Sequence, residues 1–366
     1  MKILVTPLDW GLGHATRCIP IIQELQNRGC TVLIAGSGDS LLLLKNEFPQ
    51  LAFFTLSAYS PVYSRTQSMI WKMVSQIPKF AGVIRKEHQQ IETLIEDHEI
   101  DFLISDNRYG CWSSKIPSVF ITHQLNILMP KSLKWAESLI RLINRRLIGK
   151  FSACWIPDYA DRKYSLSGKL SEHDDAFKRV SYIGPLSRFH RVNNGEHKYD
   201  LVCVFSGPEP QRNIFTEKVS VQLRSSGLRY FIIRGVYSAT RSSGENEVEF
   251  LNSEGLQTVI SQASLVLARS GYSTIMDLAV SGKKGILVPT PGQTEQEYLA
   301  DRWKRQGVFY SVPQHEFNLQ TVLEESKSYT GFTNDRRPAM KLLSNALDKL
   351  LNGQIKVKRQ TIGIFS

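Results

Sequence analysis

The sequence has little of what several protein classes require. Only 5 cysteines occur in 366 residues, widely spaced and odd in number, which argues against a disulfide framework and favours free thiols in a reducing compartment. No apolar run approaches the roughly 18 residues of a membrane span, and the short apolar N-terminus is typical of a first strand rather than of a secretory signal. The chain also contains no Asp-x-Asp motif. These absences predict a cytoplasmic protein, soluble or peripheral at a membrane, with no cofactor and no essential metal ion.

Positive charge, by contrast, is abundant. The net charge is +11 and the pI is about 9.4, a balance that favours anionic partners such as phosphates, nucleic acid or an anionic membrane surface. No basic stripe interleaved with stacking aromatics occurs, so we expect no nucleic acid partner. Hydrophobic residues make up 42% of the chain, and its length predicts two globular domains.

Short apolar runs alternate with amphipathic segments along the whole chain. Strands are predicted over 3–5, 31–35, 53–56, 102–105, 118–122 and 152–156, and again over 201–205, 229–233, 264–268 and 285–289. This alternation predicts an α/β protein of two doubly wound Rossmann-like domains that face a cleft. The predicted first domain spans 1–190, the linker 191–198 and the second domain 199–336. A C-terminal helix and tail over 337–366 is a candidate to cross back to the first domain.

A glycine loop directly after the first strand is the first candidate site. Gly11 and Gly13 allow a tight turn and a close approach to a ligand, and the helix that follows offers free N–H groups to an anion. His14 lies at this loop, where an imidazole titrates near neutrality and can act as a general base. Asp9 and Asp106, both at strand ends, are weaker candidates for that base. The alternative is a plain strand-to-helix turn that His14 only caps.

The second candidate site is the turn over 267–277, where an apolar strand ends and a helix begins. Gly271 permits close approach, and hydroxyls cluster at a helix N-terminus, an arrangement suited to a phosphate. Asp277 lies in the first turns of that helix and could accept hydrogen bonds from ribose hydroxyls, or could merely complement the helix dipole. The other predicted donor-binding residues of this turn are Arg269, Ser270, Ser273 and Thr274.

Two further loops carry weaker signals. Ser206 and Gly207 follow the first strand of the second half and open a helix. Gln293, Gln296 and Glu297 cluster at a later helix start, where carboxamides and carboxylates suit the donors and acceptors of sugar hydroxyls. The first of these loops could instead be a plain turn, and the second a capped, solvated helix start.

Together these motifs resemble a known family. The pattern Arg-Ser-Gly-x-x-Thr-x-x-Asp-Leu, then Val-Pro and Gln-Glu-Tyr, is similar to the donor-binding signature of MurG-type glycosyltransferases, which have the GT-B architecture. This group comprises relatives of UDP-N-acetylglucosamine transferases with a C-terminal domain like that of glycosyltransferase family 28. The segment 11–14 resembles the family's N-terminal glycine loop, and 123–126 resembles its His-Glu-Gln-Asn stretch, which places His123 and Asn126 on the acceptor side.

The resemblance implies a role for each matching residue. Ser206, Gly207, Ser270, Gly271 and Thr274 would lie against the donor diphosphate, Asp277 would hold the ribose, and Gln296 and Glu297 would meet the transferred sugar. The family has Glu where this chain has Asp277, an acid where it has Gln124, and paired glutamines where it has Gln296 and Glu297. The last two differences leave the donor sugar and the acceptor open.

The implied activity is sugar transfer from a nucleotide-sugar donor, UDP-linked by resemblance, to an acceptor that the sequence does not identify. The transferred sugar would be an N-acetylhexosamine or a hexose, and the acceptor would be lipid-linked or a glycan. The transfer would invert the anomeric configuration. His14 would be the base, and Arg269, if it turns inward, would help to stabilise the leaving diphosphate. A non-hydrolysing UDP-sugar epimerase and a non-catalytic nucleotide-sugar binding protein are the alternatives.

A basic amphipathic helix is predicted over 131–149. It carries Lys134, Arg141, Arg145 and Arg146 among leucines and isoleucines. Such a helix suits an anionic membrane surface, as for a peripheral protein of the cytoplasmic face. It also suits a packed helix with a solvated basic face, and both interpretations remain open.

Overall fold

The first half of the chain contains one parallel sheet. The structure, a computed structural model, describes residues 1–60, 76–174, 177–190, 197–236, 243–332 and 339–357. The strands of this half are β1 (Lys2–Pro7), β2 (Thr31–Gly36), β3 (Ala52–Thr55), β4 (Phe102–Asp106), β5 (Ser118–Ile121), β6 (Ala153–Ile156) and β7 (Val180–Tyr182). Their order is β3-β2-β1-β4-β5-β6-β7, with every pair parallel. The strand order reverses between β1 and β4, which is where doubly wound sheets bind ligands.

Helices cover the faces of this sheet because each presents an apolar stripe to it. In α1, residues Ala15, Cys18, Ile19, Ile22 and Leu25 are buried at the helical spacing that the sequence predicts. The helices of the first half are α1 (Leu12–Asn27), α2 (Gly38–Glu47), α3 (Ile77–His98) and α4 (Glu137–Ile148), with short 3-10 turns at Lys131–Ala136 and Gly168–Leu170.

The second half repeats the plan. Its strands are β8 (Tyr199–Val204), β9 (Tyr230–Ile233), β10 (Ser243–Gly244), β11 (Glu247–Val248), β12 (Ala263–Ala268), β13 (Gly285–Leu287) and β14 (Tyr310–Ser311), in the order β10-β11-β9-β8-β12-β13-β14. Only the β10–β11 pair of this sheet, as the structure describes it, is antiparallel. The switch point lies between β8 and β12. The helices are α5 (Gln211–Arg224), α6 (Ser253–Ser261), α7 (Tyr272–Ser281), α8 (Thr294–Arg305), α9 (Leu319–Ser326) and α10 (Ala339–Leu351), with a 3-10 turn at Gln314–Glu316.

The predicted fold class, two doubly wound α/β halves, is confirmed. The C-terminal helix α10 lies against α1 of the first half, where Arg28 donates to Ser344 Oγ at 2.7 Å and pairs with Asp348 at 3.1 Å. None of the helices in the described ranges combines the length and the apolarity needed to cross a membrane.

Several predicted elements were wrong in detail. The segment 131–149 is a 3-10 turn followed by α4, with a break at Leu133, whose φ of −117° is not helical. The sequence also predicts a helical region over 66–98 that Pro78 interrupts; within the described residues α3 begins at Ile77 with Pro78 in its first turn, and 61–75 lie outside those residues. Strands β7, β10, β11 and β14 were missed because two or three residues are too few to show a period. Most of the predicted linker, 191–196, lies outside the described residues.

Candidate active site

The first-half site lies at the switch point, where β1 and β4 end. Gly11 adopts a φ of 95°, a conformation that favours glycine, and α1 begins at the next residue. His14 therefore lies in the first turn of α1, beside the last residue of β4. Its Nδ1 lies 2.6 Å from Asp106 Oδ1. Arg17, one turn further along α1, donates to both oxygens of Asp106 at 3.0 and 2.6 Å.

This arrangement sets the protonation of His14. Burial lowers the pKa of His14 below its ordinary 6.5, and the charge of Arg17 acts in the same direction, against the raising effect of Asp106. Burial alone would raise the pKa of Asp106, but the charge of Arg17 and the contacts with Arg17 and His14 outweigh it and lower that pKa. Asp106 is thus an anion. His14 Nδ1 lies within hydrogen-bond distance of both Asp106 Oδ1 and Arg17 Nη2, the latter at 2.7 Å. In the neutral tautomer whose Nδ1–H donates to Asp106, the lone pair lies on Nε2, on a side chain that is 14% exposed, and can accept a proton.

Asp9 has a different environment. Its Oδ2 accepts hydrogen bonds from Ser37 Oγ at 3.1 Å and from the main-chain N–H of Tyr59 at 3.0 Å. The guanidinium of Arg108, itself fully buried against Glu87, lies 3.9 Å from the other oxygen of Asp9. These contacts join the loops that follow β1, β2 and β3, so Asp9 braces the floor of the first-half site.

His123 connects the two halves. Its ring stacks on that of Tyr272, with 4.2 Å between centroids and 10° between planes. His123 Nδ1 lies 2.9 Å from Arg17 Nη1, and Nε2 lies 2.9 Å from Glu295 Oε1 in the second half. A polar chain therefore runs from His14 through Asp106, Arg17 and His123 to Glu295.

Asn126 does not join this chain. Its side-chain amide donates to the carbonyls of Lys169 and Glu172 at 2.9 and 2.7 Å. It ties the loop after β5 to the segment near the second 3-10 turn.

The second-half turn meets the first-half loop directly. Gly271 is the N-cap of α7, which begins without a side-chain cap, and nothing lies within 4 Å of the place where a Cβ would stand. The hydroxyl of Ser273 donates to the carbonyl of Gly13 at 2.9 Å. A Cβ on Gly13 would lie 2.8 Å from that hydroxyl oxygen, so a side chain at position 13 would displace Ser273 from this contact. Gly271, Ser273 and Thr274 are all partly exposed at the cleft, where the N–H groups of a first helical turn have no intrahelical partner.

Arg269 and Ser270 turn into the second half instead. Ser270 Oγ donates to the carbonyl of Gln296 at 2.8 Å. The buried guanidinium of Arg269 donates to the carbonyls of Gln211, Val288 and Pro289 and to Gln314 Oε1, over 2.7–3.3 Å. Burial lowers the pKa of Arg269 to about 9. Both side chains thus fix the loops around the turn, and neither points into the cleft.

Asp277 already has two partners. One oxygen accepts the hydroxyl proton of Ser187 at 2.7 Å, and the other lies 3.4 Å from Arg188 Nε. Burial raises the pKa of Asp277, and the charge of Arg188 lowers it in part. Both partners lie between β7 and β8, so Asp277 contacts the segment that joins the two halves.

The remaining predicted residues form two facing loops. Ser206 and Gly207 follow β8, and a Cβ on Gly207 would lie 3.5 Å from Thr290 Oγ1 of the loop after β13. In that second loop, Gln296 accepts from the N–H of Thr290 at 2.8 Å and donates to Gln293. Glu297 accepts from the N–H of Gly292 at 2.9 Å and is exposed. The side chains of Gln293, Gln296 and Glu297 thus stabilise the loop itself.

Sequence reasoning missed Arg17 and Glu295. Arg17 lies three residues after His14 and therefore on the same face of α1, a spacing that could have revealed it. Glu295 contacts His123 and also accepts from the amide of Gln124, both 171 residues or more away in the chain. No local pattern could have paired those residues.

Known proteins are similar to this chain in sequence. Residues 202–347 match the family described as the glycosyltransferase family 28 C-terminal domain. An uncharacterized glycosyltransferase of Methanosarcina acetivorans is 25% identical, with 86% of this chain and 87% of that protein covered.

One further relative and one solved structure are similar over most of the chain. A UDP-N-acetylglucosamine–N-acetylmuramyl-(pentapeptide) pyrophosphoryl-undecaprenol N-acetylglucosamine transferase of Actinobacillus pleuropneumoniae serotype 5b is 23% identical, with 88% of each chain covered. The crystal structure of MurG of Acinetobacter baumannii superposes with a TM-score of 0.54 at 14% identity, covering 96% of this chain and 99% of that one. At that identity the structural likeness establishes the fold alone.

Proposed function

We propose that this chain, as a MurG-type glycosyltransferase of the GT-B fold, uses a nucleotide-sugar donor. On that premise, it transfers an N-acetylhexosamine from UDP to a lipid-linked acceptor. The printed name of the Actinobacillus relative supports both choices, since it contains a UDP-linked amino sugar and an undecaprenol-linked acceptor. The sequence also allows a hexose donor and a glycan acceptor, so a screen must include both.

One observation carries the proposal. The hydroxyl of Ser273 contacts the carbonyl of Gly13 at 2.9 Å, so the glycine loop with its histidine meets the uncapped N-terminus of α7. His14, next to Gly13, supplies a neutral imidazole oriented by an anionic carboxylate. The first turn of α7 supplies N–H groups and the positive end of a helix dipole. A base for the acceptor and a binding place for the leaving diphosphate thus lie on opposite sides of one cleft.

The chemistry follows from that placement. His14 Nε2 takes the proton of the acceptor hydroxyl, and the freed oxygen attacks the anomeric carbon from the face opposite the diphosphate. The bond between the anomeric carbon and the diphosphate oxygen breaks, and both electrons leave with the diphosphate, which the first turn of α7 stabilises. Asp106 stabilises the imidazolium formed on His14. This in-line displacement inverts the anomeric configuration, and we propose that it requires no divalent ion.

The test is a transfer assay over a panel of UDP- and dTDP-linked hexoses and N-acetylhexosamines, with lipid-diphosphate sugars and free glycans as acceptors. We expect a UDP-linked N-acetylhexosamine to give product of inverted configuration by proton NMR, with the same rate in EDTA. A retained configuration, or a rate abolished by EDTA, would contradict the mechanism. An isomerised nucleotide sugar, formed without free UDP, would instead favour an epimerase.

We also propose that α4 and the turn before it contact an anionic membrane at the cytoplasmic face. Trp135, Leu139, Leu142 and Ile143 are between 50% and 76% exposed, beside the basic residues of the same segment. An apolar face flanked by cations suits a membrane that bears anionic headgroups. Buried Asn144 donates to the carbonyls of Gln124 and Leu125 at 3.0 and 3.1 Å, so this face is fixed beside the loop that carries His123.

Vesicle co-sedimentation tests the membrane contact. We expect binding to phosphatidylglycerol vesicles that is lost in Trp135→Ser and weakened by salt. Val221→Ser, which removes a 64% exposed apolar side chain from α5 of the other half, is the control and should bind as the wild type does. Equal losses in both variants would contradict a specific face.

A further inference from the structure

A cavity lies between the two halves, and its lining does not include His14. Its volume is about 390 Å³, within the range of small-ligand pockets. One wall is the segment 159–172 together with Tyr182, and the other is the C-terminal part of α8. Arg302 follows Glu295 by seven residues on α8, which is about 10 Å along the helix axis. The cavity is therefore distinct from the polar chain that ends at Glu295.

The lining of this cavity is strongly basic. The lining includes four basic residues, Arg162, Lys169, Arg302 and Arg305, and a single acidic residue, Glu172. Arg162 pairs with Glu172 at 3.3 Å, and Arg305 pairs with a carboxylate one turn earlier on α8. Within the ranges that the structure describes, neither Lys169 nor Arg302 has an ion-pair partner. Two cations without an ion-pair partner therefore line the cavity from different halves.

Arg302 is held rigidly. Its Nη2 donates to the carbonyl of Ser165 at 3.1 Å, and its guanidinium lies 5.3 Å from the ring centre of Trp303, which is buried in the core of the second half. Its Nε is buried and has no hydrogen-bond partner among the described residues. A buried donor without a partner is unfavourable, and an anion that accepted this N–H would remove that penalty.

The first-half wall is shaped around this guanidinium. Gly168 has a φ of +56°, and a Cβ there would lie 2.5 Å from the Tyr298 hydroxyl and 2.8 Å from Arg302 Nη1. The hydroxyl of Tyr298 accepts the N–H of Lys169 at 2.9 Å, which leaves its own proton to donate. Glycine at 168 thus lets an arginine and a phenol approach the main chain and line one end of the cavity.

We propose that this cavity binds a small soluble phosphate-bearing ligand between Arg302 and Lys169. A planar guanidinium with an unused N–H, a second cation and a phenolic donor match the oxygens of a phosphate. Because the lining comes from both halves, the ligand stabilises the arrangement in which the halves are joined. The site does not depend on the nature of the donor sugar or of the acceptor.

Calorimetric titration with inorganic diphosphate, at saturating UDP, tests the site. UDP binding is measured first in each variant, so failure at the donor site is seen separately. We expect one saturable diphosphate site whose Kd rises about tenfold or more in Arg302→Gln and less in Lys169→Gln, an exposed position where folding is not at risk. Lys304→Gln removes the same charge from the same helix outside the cavity and should leave the Kd unchanged.

Absence of a saturable diphosphate site in the UDP-saturated wild type would overturn the proposal, as would equal losses in Lys304→Gln and Arg302→Gln. Phosphatidic acid vesicles distinguish a lipid headgroup from a soluble phosphate. We expect vesicle binding to be the same in Arg302→Gln and wild type. If vesicle binding depended on Arg302 while diphosphate binding did not, a soluble ligand would be contradicted.

Discussion

Two helices that begin at glycine face each other across the cleft, and they differ in what they present. α1 follows β1 and α7 follows β12, each beside the switch point of its sheet. The first turn of α1 carries His14, held by the buried ion pair of Asp106 and Arg17. The partly exposed residues at the start of α7 are Gly271, Ser273 and Thr274, all uncharged.

The difference teaches how one type of turn serves two tasks. A titratable group needs neighbours that set its charge, and His14 has them. An anion site at a helix start needs open N–H groups, and side-chain charge is not required there. The charged residues of the α7 turn, Arg269 and Asp277, are buried and bonded elsewhere in the second half or to the joining segment. We therefore expect changes at α1 to act on turnover and changes at α7 to act on donor affinity.

The largest effect is expected from His14→Ala. Loss of the general base should lower kcat by about 10²–10⁴-fold, while the Kd for UDP stays within about twofold of the wild type. Steady-state kinetics and calorimetry of the same preparation measure both. His315→Ala, at an exposed histidine of the other half, is the control. Near wild-type turnover in His14→Ala with the donor still bound would remove the base assignment.

Asp106→Asn should lower kcat by about 10²-fold or less and change its pH dependence. In the wild type, kcat should fall as the pH drops through the pKa of His14, below 6.5, because burial disfavours the protonated ring. The carboxylate raises the pKa of His14, so its loss should move the pH at which kcat falls on the acidic side to a lower value. Since Arg17 would lose its buried partner, a cost of about 3–5 kcal/mol in the free energy of unfolding is expected. If kcat fell at the same pH in Asp106→Asn as in the wild type, the coupling of Asp106 to His14 would be contradicted.

The contact between the two helices can be broken and repaired. Gly13→Ala would place a methyl 2.8 Å from Ser273 Oγ, so we expect about a tenfold loss in kcat/KM. Ser273→Ala alone removes one hydrogen bond, worth about 1 kcal/mol, and should cost roughly fivefold. In the double variant the steric conflict is relieved, and the losses should be smaller than additive. Strict additivity of the two losses would argue that the helices do not meet in the working enzyme.

The smallest effect is expected from Asp277→Asn. If Asp277 holds the ribose, it must exchange Ser187 and Arg188 for ribose hydroxyls, so part of the gain is offset. We expect the Kd for UDP to rise by about two- to threefold, and the Kd for 2′-deoxy-UDP to rise less. Ser187→Ala is a matched control that frees one oxygen of Asp277 without changing its charge. Equal effects on both nucleotides would contradict a ribose contact.

The sequence predicts the fold well because the alternation of strands and helices is local. Strands β7, β10, β11 and β14 were missed, since their pairing partners define them. The site is predicted in its parts, the glycine loop and the turn at Gly271, because each needs special residues at fixed spacing. What joins the parts depends on contacts between distant segments, such as Gly13 with Ser273, His123 with Glu295 and Asp277 with Ser187, and no spacing in the sequence encodes them.

The central claim is that α7, and not α1, binds the diphosphate. A crystal structure with UDP bound measures this directly. We expect the β-phosphate oxygens to accept hydrogen bonds from the N–H groups of Ser273 and Thr274, with His14 Nε2 facing the phosphate across the cleft. A diphosphate seated instead on the N–H groups of the α1 turn, after Gly11, would contradict the account.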